Sequence, residues 1–153
     1  MKITERIVIR AAPQRVWRWL ADPALWPQWN PKVKRVNRSR TGAMVAGEVF
    51  EADFVLGGKT TTGNVEVKVF EPFQRLVLQH WVDVRGRVGS LGVEFALNAE
   101  GADTHVVQTT DFSASGLPWL VKMLIGIMNR FGRPVGRSHL DQLKQLGEGR
   151  AAG

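Results

Sequence analysis

Hydrophobic and polar residues alternate along most of this chain, a period of two that marks strands whose successive side chains point to opposite faces. The first such segment is Ile3–Arg10, with Ile3, Ile7 and Ile9 on one parity. Ala11-Ala12-Pro13 then starts a helix, because proline is tolerated in a first turn, where its missing N–H had no partner to lose. This helix is predicted to reach about Ala21 and to bury Val16, Trp17 and Leu20. Asp22-Pro23 opens a second, short helical turn carrying Leu25 and Trp26, and Pro27 and Pro31 keep it from lengthening.

Six further strands are predicted at about 32–40, 45–56, 60–70, 75–85, 88–98 and 104–113. Thr41-Gly42, Gly57-Gly58, Glu71-Pro72, Arg85-Gly86 and Glu100-Gly-Ala-Asp103 separate them, and connections this short imply antiparallel neighbours in a meander. Gly63 and Gly92 lie inside strands and predict bulges or bends. After Gly116 the period changes. Leu117–Phe131 reads as a helix, Gly132-Arg-Pro134 as its interruption, and Val135–Leu146 as its continuation, with Leu140, Leu143 and Leu146 on one stripe. Gly147 supplies the stop. The expectation is one domain over 1–146 with a flexible tail at 147–153, and a chain of this size can bury roughly 70% of its unfolded surface.

Parity separates the two faces of the sheet. Phe50, Ala52 and Phe54 oppose Glu51 and Asp53; Val65, Val67 and Val69 oppose Glu66 and Lys68. Leu76, Leu78, Val82 and Val84 oppose Gln79 and Asp83, and Leu91, Val93, Phe95 and Leu97 oppose Glu94 and Asn98. In the last strand Thr104, Val106, Gln108, Thr110 and Phe112 oppose Asp103, His105 and Asp111. One face is wet; the other is apolar and turned toward the helices. The exceptions on the apolar face are His80, Thr104, Gln108 and Thr110, each either a core residue with a satisfied hydrogen bond or a polar handle inside a ligand cavity.

The helix at 117–128 is apolar nearly all round, interrupted only by Pro118, Lys122 and Gly126. It is too short to span a bilayer. Two readings stay open: a helix sandwiched between the sheet and a dimer partner or another helix, and a mobile hydrophobic lid whose Met side chains adapt to differently shaped ligands.

Charge is uneven. Residues 1–40 carry ten basic and two acidic side chains, 41–112 five and ten, and 113–153 six and two, which sums to +7. The densest run, Lys32 to Arg40, reads as a solvated edge strand rather than a nucleic-acid site, since no aromatic platform is interleaved with it. The absence of cysteine excludes disulfides and a cysteine nucleophile. The start, MKITERIVIR, alternates rather than forming an apolar run, so it reads as a strand and not a signal peptide.

The order strand, two short helices, six antiparallel strands and long C-terminal helix is that of an α+β helix-grip fold, a seven-stranded curved antiparallel sheet wrapped around a long C-terminal helix. Ile7-Val-Ile-Arg-Ala-Ala-Pro-Gln-Arg-Val-Trp17 and Trp26-Pro-Gln-Trp-Asn-Pro-Lys-Val33 resemble the opening of the START/Bet v 1-like (SRPBCC) superfamily, and its bacterial polyketide cyclase/dehydrase and lipid-transport branch in particular. Glu71-Pro-Phe-Gln-Arg-Leu76, Gly101-Ala-Asp-Thr-His-Val106 and Arg137-Ser-His-Leu-Asp-Gln-Leu-Lys-Gln-Leu146 extend the resemblance over nearly the whole chain. It implies a deep cavity between sheet and C-terminal helix for an apolar small molecule. It places Trp26 and Trp29 at the cavity mouth or floor, with Phe54, Leu78, His80, Phe95, Gln108 and Phe112; of these, Trp29 reads more as a fold residue. Thr110, Met123 and Ile127 complete the candidate ligand contacts.

Other chemistries find little support. His80, His105 and His139 sit on separate elements, with His80 and His105 on opposite sheet faces, so no metal is expected. No Walker or dinucleotide fingerprint calls for a cofactor. Characterised aromatase/cyclase relatives orient a poly-ketone with polar groups, often Tyr and Arg. Here Tyr is absent, and no basic residue from 41 to 112 falls on the inner face. The leading expectation is therefore a carrier or sensor of a hydrophobic small molecule or lipid, cytoplasmic and without cofactor. The alternatives are a polyketide cyclase/dehydratase-type enzyme using His80 as acid/base with Gln108 polarising a carbonyl, and a docking module for a partner or an anionic membrane. A homodimer stays open, and nucleic acid is not expected as a partner.

Overall fold

The computed structural model describes residues 2–56, 58–84, 87–112 and 137–149. Strand β1 (Lys2–Ile9) leads into helix α1 (Pro13–Ala21), one 3₁₀ turn (Pro23–Leu25) and helix α2 (Trp26–Trp29). There follow β2 (Val33–Asn37), β3 (Val49–Leu56), β4 (Lys59–Glu71), β5 (Arg75–Val84), β6 (Arg87–Glu100), β7 (Asp103–Asp111) and helix α3 (Arg137–Gly147). The local signals act as expected at the first helices: Pro13 opens α1, and the Asp22 carboxylate accepts from the Ala24 N–H at 3.0 Å to start the 3₁₀ turn. The predicted helix at 117–131 and its interruption at 132–134 lie outside the described residues.

All seven strands form one antiparallel sheet in the order β1-β7-β6-β5-β4-β3-β2. Its edges are β1 and β2, and α1 and α2 carry the chain from one edge to the other. Helix α3 packs on α1, α2 and β1, burying Leu140 and Leu143, and together with the curved sheet this is the helix-grip fold. Its last turn reaches the sheet edge: Lys144 donates to the Val8 carbonyl at 2.8 Å, and Glu148 accepts from the Arg10 N–H at 3.0 Å.

Two expectations need correction. The strands predicted at 32–40 and 45–56 are shorter, because Arg38 turns inward instead of continuing β2. Its guanidinium donates to Glu48 at 2.7 and 3.1 Å and to the Gly42 carbonyl at 2.8 Å, and it lies 5.4 Å from the centre of the Phe50 ring. This fork closes residues 38–48 into a loop, which buried Met44 pins to α1 through a bond from its N–H to the Ala21 carbonyl. The Arg38 hydrogen bond also holds the Glu48 carboxyl below its usual pKa. The run from Lys32 to Arg40 is thus not one solvated face: Lys34 and Arg35 are exposed on the edge strand, whereas the Arg38 side chain is buried.

The second correction concerns bulges. No register shift occurs at Gly63 or Gly92; the slip in β4 falls between Val67 and Val69, leaving Lys68 as the extra residue. Parity flips there. Val69 pairs with Val77 on the outer face instead of following Val65 and Val67 inward, and Phe70 turns inside to meet the edge of Trp17, 5.2 Å between centroids. Gly63 serves close approach, since a Cβ there would collide with the Trp81 carbonyl oxygen.

Candidate functional site

The inner face of the sheet has two ends with different fates. At one end α1 fills the space: Val16, Trp17 and Leu20 join Ile9, Leu76, Leu97 and Val106 in the core. At the other end the short α2 and the start of α3 leave a cavity of about 150 Å³, room for a ring-sized group rather than for a single water.

Apolar side chains from most elements wall this cavity. Ile3 comes from β1, Trp26 and Trp29 from α2, Val33 from β2, Phe54 from β3 and Phe112 from just beyond β7. Leu78 and Val82 of β5 and Leu91, Val93 and Phe95 of β6 complete the wall. Both indole N–H groups are consumed by the fold: Trp26 donates to the Leu20 carbonyl at 2.9 Å and Trp29 to the Trp19 carbonyl at 3.0 Å. The rings are thereby fixed and can offer only their apolar surface. Trp29 is both a fold residue and a wall residue.

The structure brings together nine of the residues singled out from the sequence: Trp26, Trp29, Phe54, Leu78, His80, Phe95, Gln108, Thr110 and Phe112 all line the cavity. Met123 and Ile127 lie outside the described residues. Thr104 goes elsewhere. Its hydroxyl, fully buried at the α1 end, donates to the Ala11 carbonyl at 2.7 Å, so it ties β7 to the start of α1.

His80 stands edge-on to Phe54, with ring centroids 5.4 Å apart. It retains some accessible surface because it borders the cavity, yet the surrounding protein lowers its pKa to about 4 by desolvation.

Four polar residues of the wall were not anticipated: Glu5, Asn30, Lys32 and His139. Glu5 sits directly opposite Gln108 in the β1–β7 register, so both side chains rise from the inner face. Lys32 follows the turn after α2; burial lowers its pKa, while the negative charge of Glu5 opposes that shift. His139, only 4% exposed, enters from the first turns of α3 and packs against Trp29 with ring centroids 5.9 Å apart. Its Nε2 lies 2.8 Å from the Gln108 side-chain oxygen. That oxygen can only accept, so the proton is on Nε2 and the neutral ring presents Nδ1 as an acceptor. Desolvation, followed by the charge of Lys32, lowers the His139 pKa to about 3.

His105 lies on the outer face, 3.6 Å from Glu100. Among the described residues no three His, Asp or Glu side chains gather as a metal site, and no helix is long and apolar enough to cross a membrane.

Comparison with solved structures places this architecture among known ones. A conserved protein from Geobacillus kaustophilus superposes with a TM-score of 0.73 at 12% identity, over 96% of this chain and 95% of that one. A protein from Chromobacterium violaceum gives 0.72 at 17% identity, over 97% and 98%. A protein of the dynemicin biosynthetic locus gives 0.65 at 17% identity; the match takes in 97% of this chain but 48% of that longer one. At such identities the likeness is one of fold. No curated protein matches the chain in sequence. A family model does, over residues 1–148, and with the helix-grip sheet and its walled cavity it shows that the chain belongs to the polyketide cyclase/dehydrase and lipid transport family.

Proposed function

We propose that the protein binds a hydrophobic small molecule or lipid in the cavity between the sheet and α3, and carries or presents it without chemical change. The observation that supports this reading is the composition of the wall. Rigid aromatic and aliphatic side chains from α2 and at least five strands converge on one space, and the indole N–H groups of Trp26 and Trp29 are held by the fold. His80 argues in the same direction. An efficient acid or base has a pKa near the working pH, whereas a group lowered to about 4 is a weak base at neutral pH and is not in its imidazolium form.

The test is binding by delipidated protein to a panel of fatty acids, sterols and polycyclic aromatics, with native mass spectrometry of the protein as purified. A retained molecule, or micromolar binding of one class, supports the reading. A protein that is empty as purified and binds nothing on the panel overturns it.

A second reading, aldol cyclisation or dehydration of a poly-β-ketone, draws support from the charged Glu5 and Lys32 facing an otherwise apolar space. Turnover by the wild type that is lost in His80→Ala and Gln108→Ala would support it. An inactive wild type removes it.

A further inference from the structure

The cavity-binding reading leaves the ligand's chemistry open, and Lys32 narrows it. The backbone of this residue is clamped on both sides. Its N–H donates to the Asn30 side-chain oxygen at 3.0 Å, and its carbonyl accepts from the Val55 N–H at 2.8 Å. The side chain therefore leaves a fixed point between α2 and the edge strand β2, and it forms part of the cavity wall. Two other wall residues locate its charge: the Glu5 carboxylate acts on Lys32, and Lys32 in turn lowers the pKa of His139. Glu5 belongs to β1 and His139 to α3, so the amine lies within electrostatic reach of both sides of the cavity, whereas Lys34, two residues on, is exposed.

Among the described residues no oxygen hydrogen-bonds this amine. An ammonium drawn out of water without such partners is costly, and burial lowers the Lys32 pKa by more than the charge of Glu5 raises it. An amine desolvated in an apolar pocket is a nucleophile toward carbonyl carbon. An ion-pair anchor for a ligand acid would call for the reverse, an amine held in its charged form.

We infer that Lys32 takes up an aldehyde or ketone carried on an apolar molecule, its amine condensing with the carbonyl to a reversible imine inside the cavity. The nitrogen lone pair bonds to the carbonyl carbon and gives a carbinolamine. That adduct loses water, made of the carbonyl oxygen and the two amine hydrogens, and leaves a C=N bond. Hydrolysis reverses the step and releases the ligand unchanged. This rests on the cavity-binding reading and names the functional group that the cavity retains.

The experiment is reductive trapping on the full chain at neutral pH, with 4-ethylbenzaldehyde and cyanoborohydride, followed by peptide mass spectrometry. The hydrocarbon 4-ethyltoluene, the same shape without the carbonyl, is the binding control, read by tryptophan fluorescence. The expected result is one ethylbenzyl group on Lys32, gained at least about tenfold faster than on Lys34, because the cavity holds the aldehyde beside the amine. Excess 4-ethyltoluene should suppress this labelling, Lys34→Arg should leave it in place, and Lys32→Arg should abolish it; should that last variant not fold, mapping of the wild type decides alone. Binding of 4-ethyltoluene with Lys32 labelled no faster than Lys34 would overturn the imine inference while leaving a hydrophobic carrier intact. Fast labelling of Lys32 that 4-ethyltoluene does not suppress would overturn its placement in the cavity. Neither binding of the hydrocarbon nor labelling by the aldehyde would overturn the inference together with the reading beneath it.

Discussion

The Nε2–H of His139 donates to the side-chain oxygen of Gln108 across 2.8 Å, fastening the start of α3 to the middle of β7 inside the cavity wall. Gln108→Leu strands that buried N–H and should cost about 1–3 kcal/mol in urea unfolding. Adding His139→Phe removes the stranded group, so the double variant should recover part of the loss, a coupling of about 0.5–3 kcal/mol. Strictly additive losses would show that the two side chains do not act as a pair.

Thr104 offers the contrasting case of a polar residue on the same strand that serves only the fold. Thr104→Val leaves the Ala11 carbonyl without its 2.7 Å donor and should lower stability by about 1–3 kcal/mol. Affinity for any cavity ligand should be unchanged, because the side chain is not part of the wall. Thermal unfolding and a ligand titration on the same sample check both halves.

Acidification should destabilise the protein well before its carboxylates titrate. His80 and His139 have folded pKa values of about 4 and about 3, below the ordinary 6.5, so between these limits the unfolded chain binds more protons than the native one. The stability they confer is complete above 6.5 and is lost as pH falls toward the folded values, by up to about 1.4 kcal/mol per pH unit for each histidine. Urea unfolding between about pH 7.5 and pH 5 should show this slope, and His80→Phe should remove its share. A flat profile over that range would contradict the burial of both rings.

Two strand glycines should respond oppositely to the same change. In Gly63→Ala the new methyl collides with the Trp81 carbonyl oxygen and crowds Phe54 and Val82, an overpacking worth about 1–3 kcal/mol. In Gly92→Ala the nearest atoms, on Asp111 and Gln79, stand at 3.6 Å, and the lost backbone freedom of the unfolded chain makes the change neutral to stabilising by up to about 1 kcal/mol. Paired melting curves decide.

The meander from β2 to β7 and its facing were legible because alternation with period two is a direct imprint of burial and the turn residues between strands are chemically distinct, whereas the pairing of β1 with β7 joins strands that no short turn connects. The Lys68 bulge was not legible. An extra residue inserted in a Val-Glu-Val-Lys-Val run leaves the alternation locally intact, and only Phe70 meeting Trp17 reveals the flip. The same alternation puts Phe54, Leu78 and Phe95 on the inner face, whereas a cavity there, with Trp26 and Trp29 in its wall, is what the family resemblance implies. Its polar members were harder. Glu5 shares parity with Ile3, Ile7 and Ile9, a usable signal, but a carboxylate near a chain start reads as surface charge. Lys32 lies in a turn, where no period exists, at the head of a basic run whose next members are exposed. His139 lies four residues before Leu143, on the buried face of α3, and a helix position alone does not say that this face looks into a cavity.

Lys144 and Glu148 have a consequence outside the cavity. Strand β1 is an edge, and the backbone of an edge strand is a template on which another chain's strand can add. At Val8 and Arg10 the template is already occupied by side chains of the protein's own last helical turn. The far edge is guarded differently, by a strand of five residues carrying Lys34 and Arg35. The end of α3 therefore does two jobs: it packs on the sheet, and it caps two backbone groups at one end of the rim that a neighbouring strand would otherwise use.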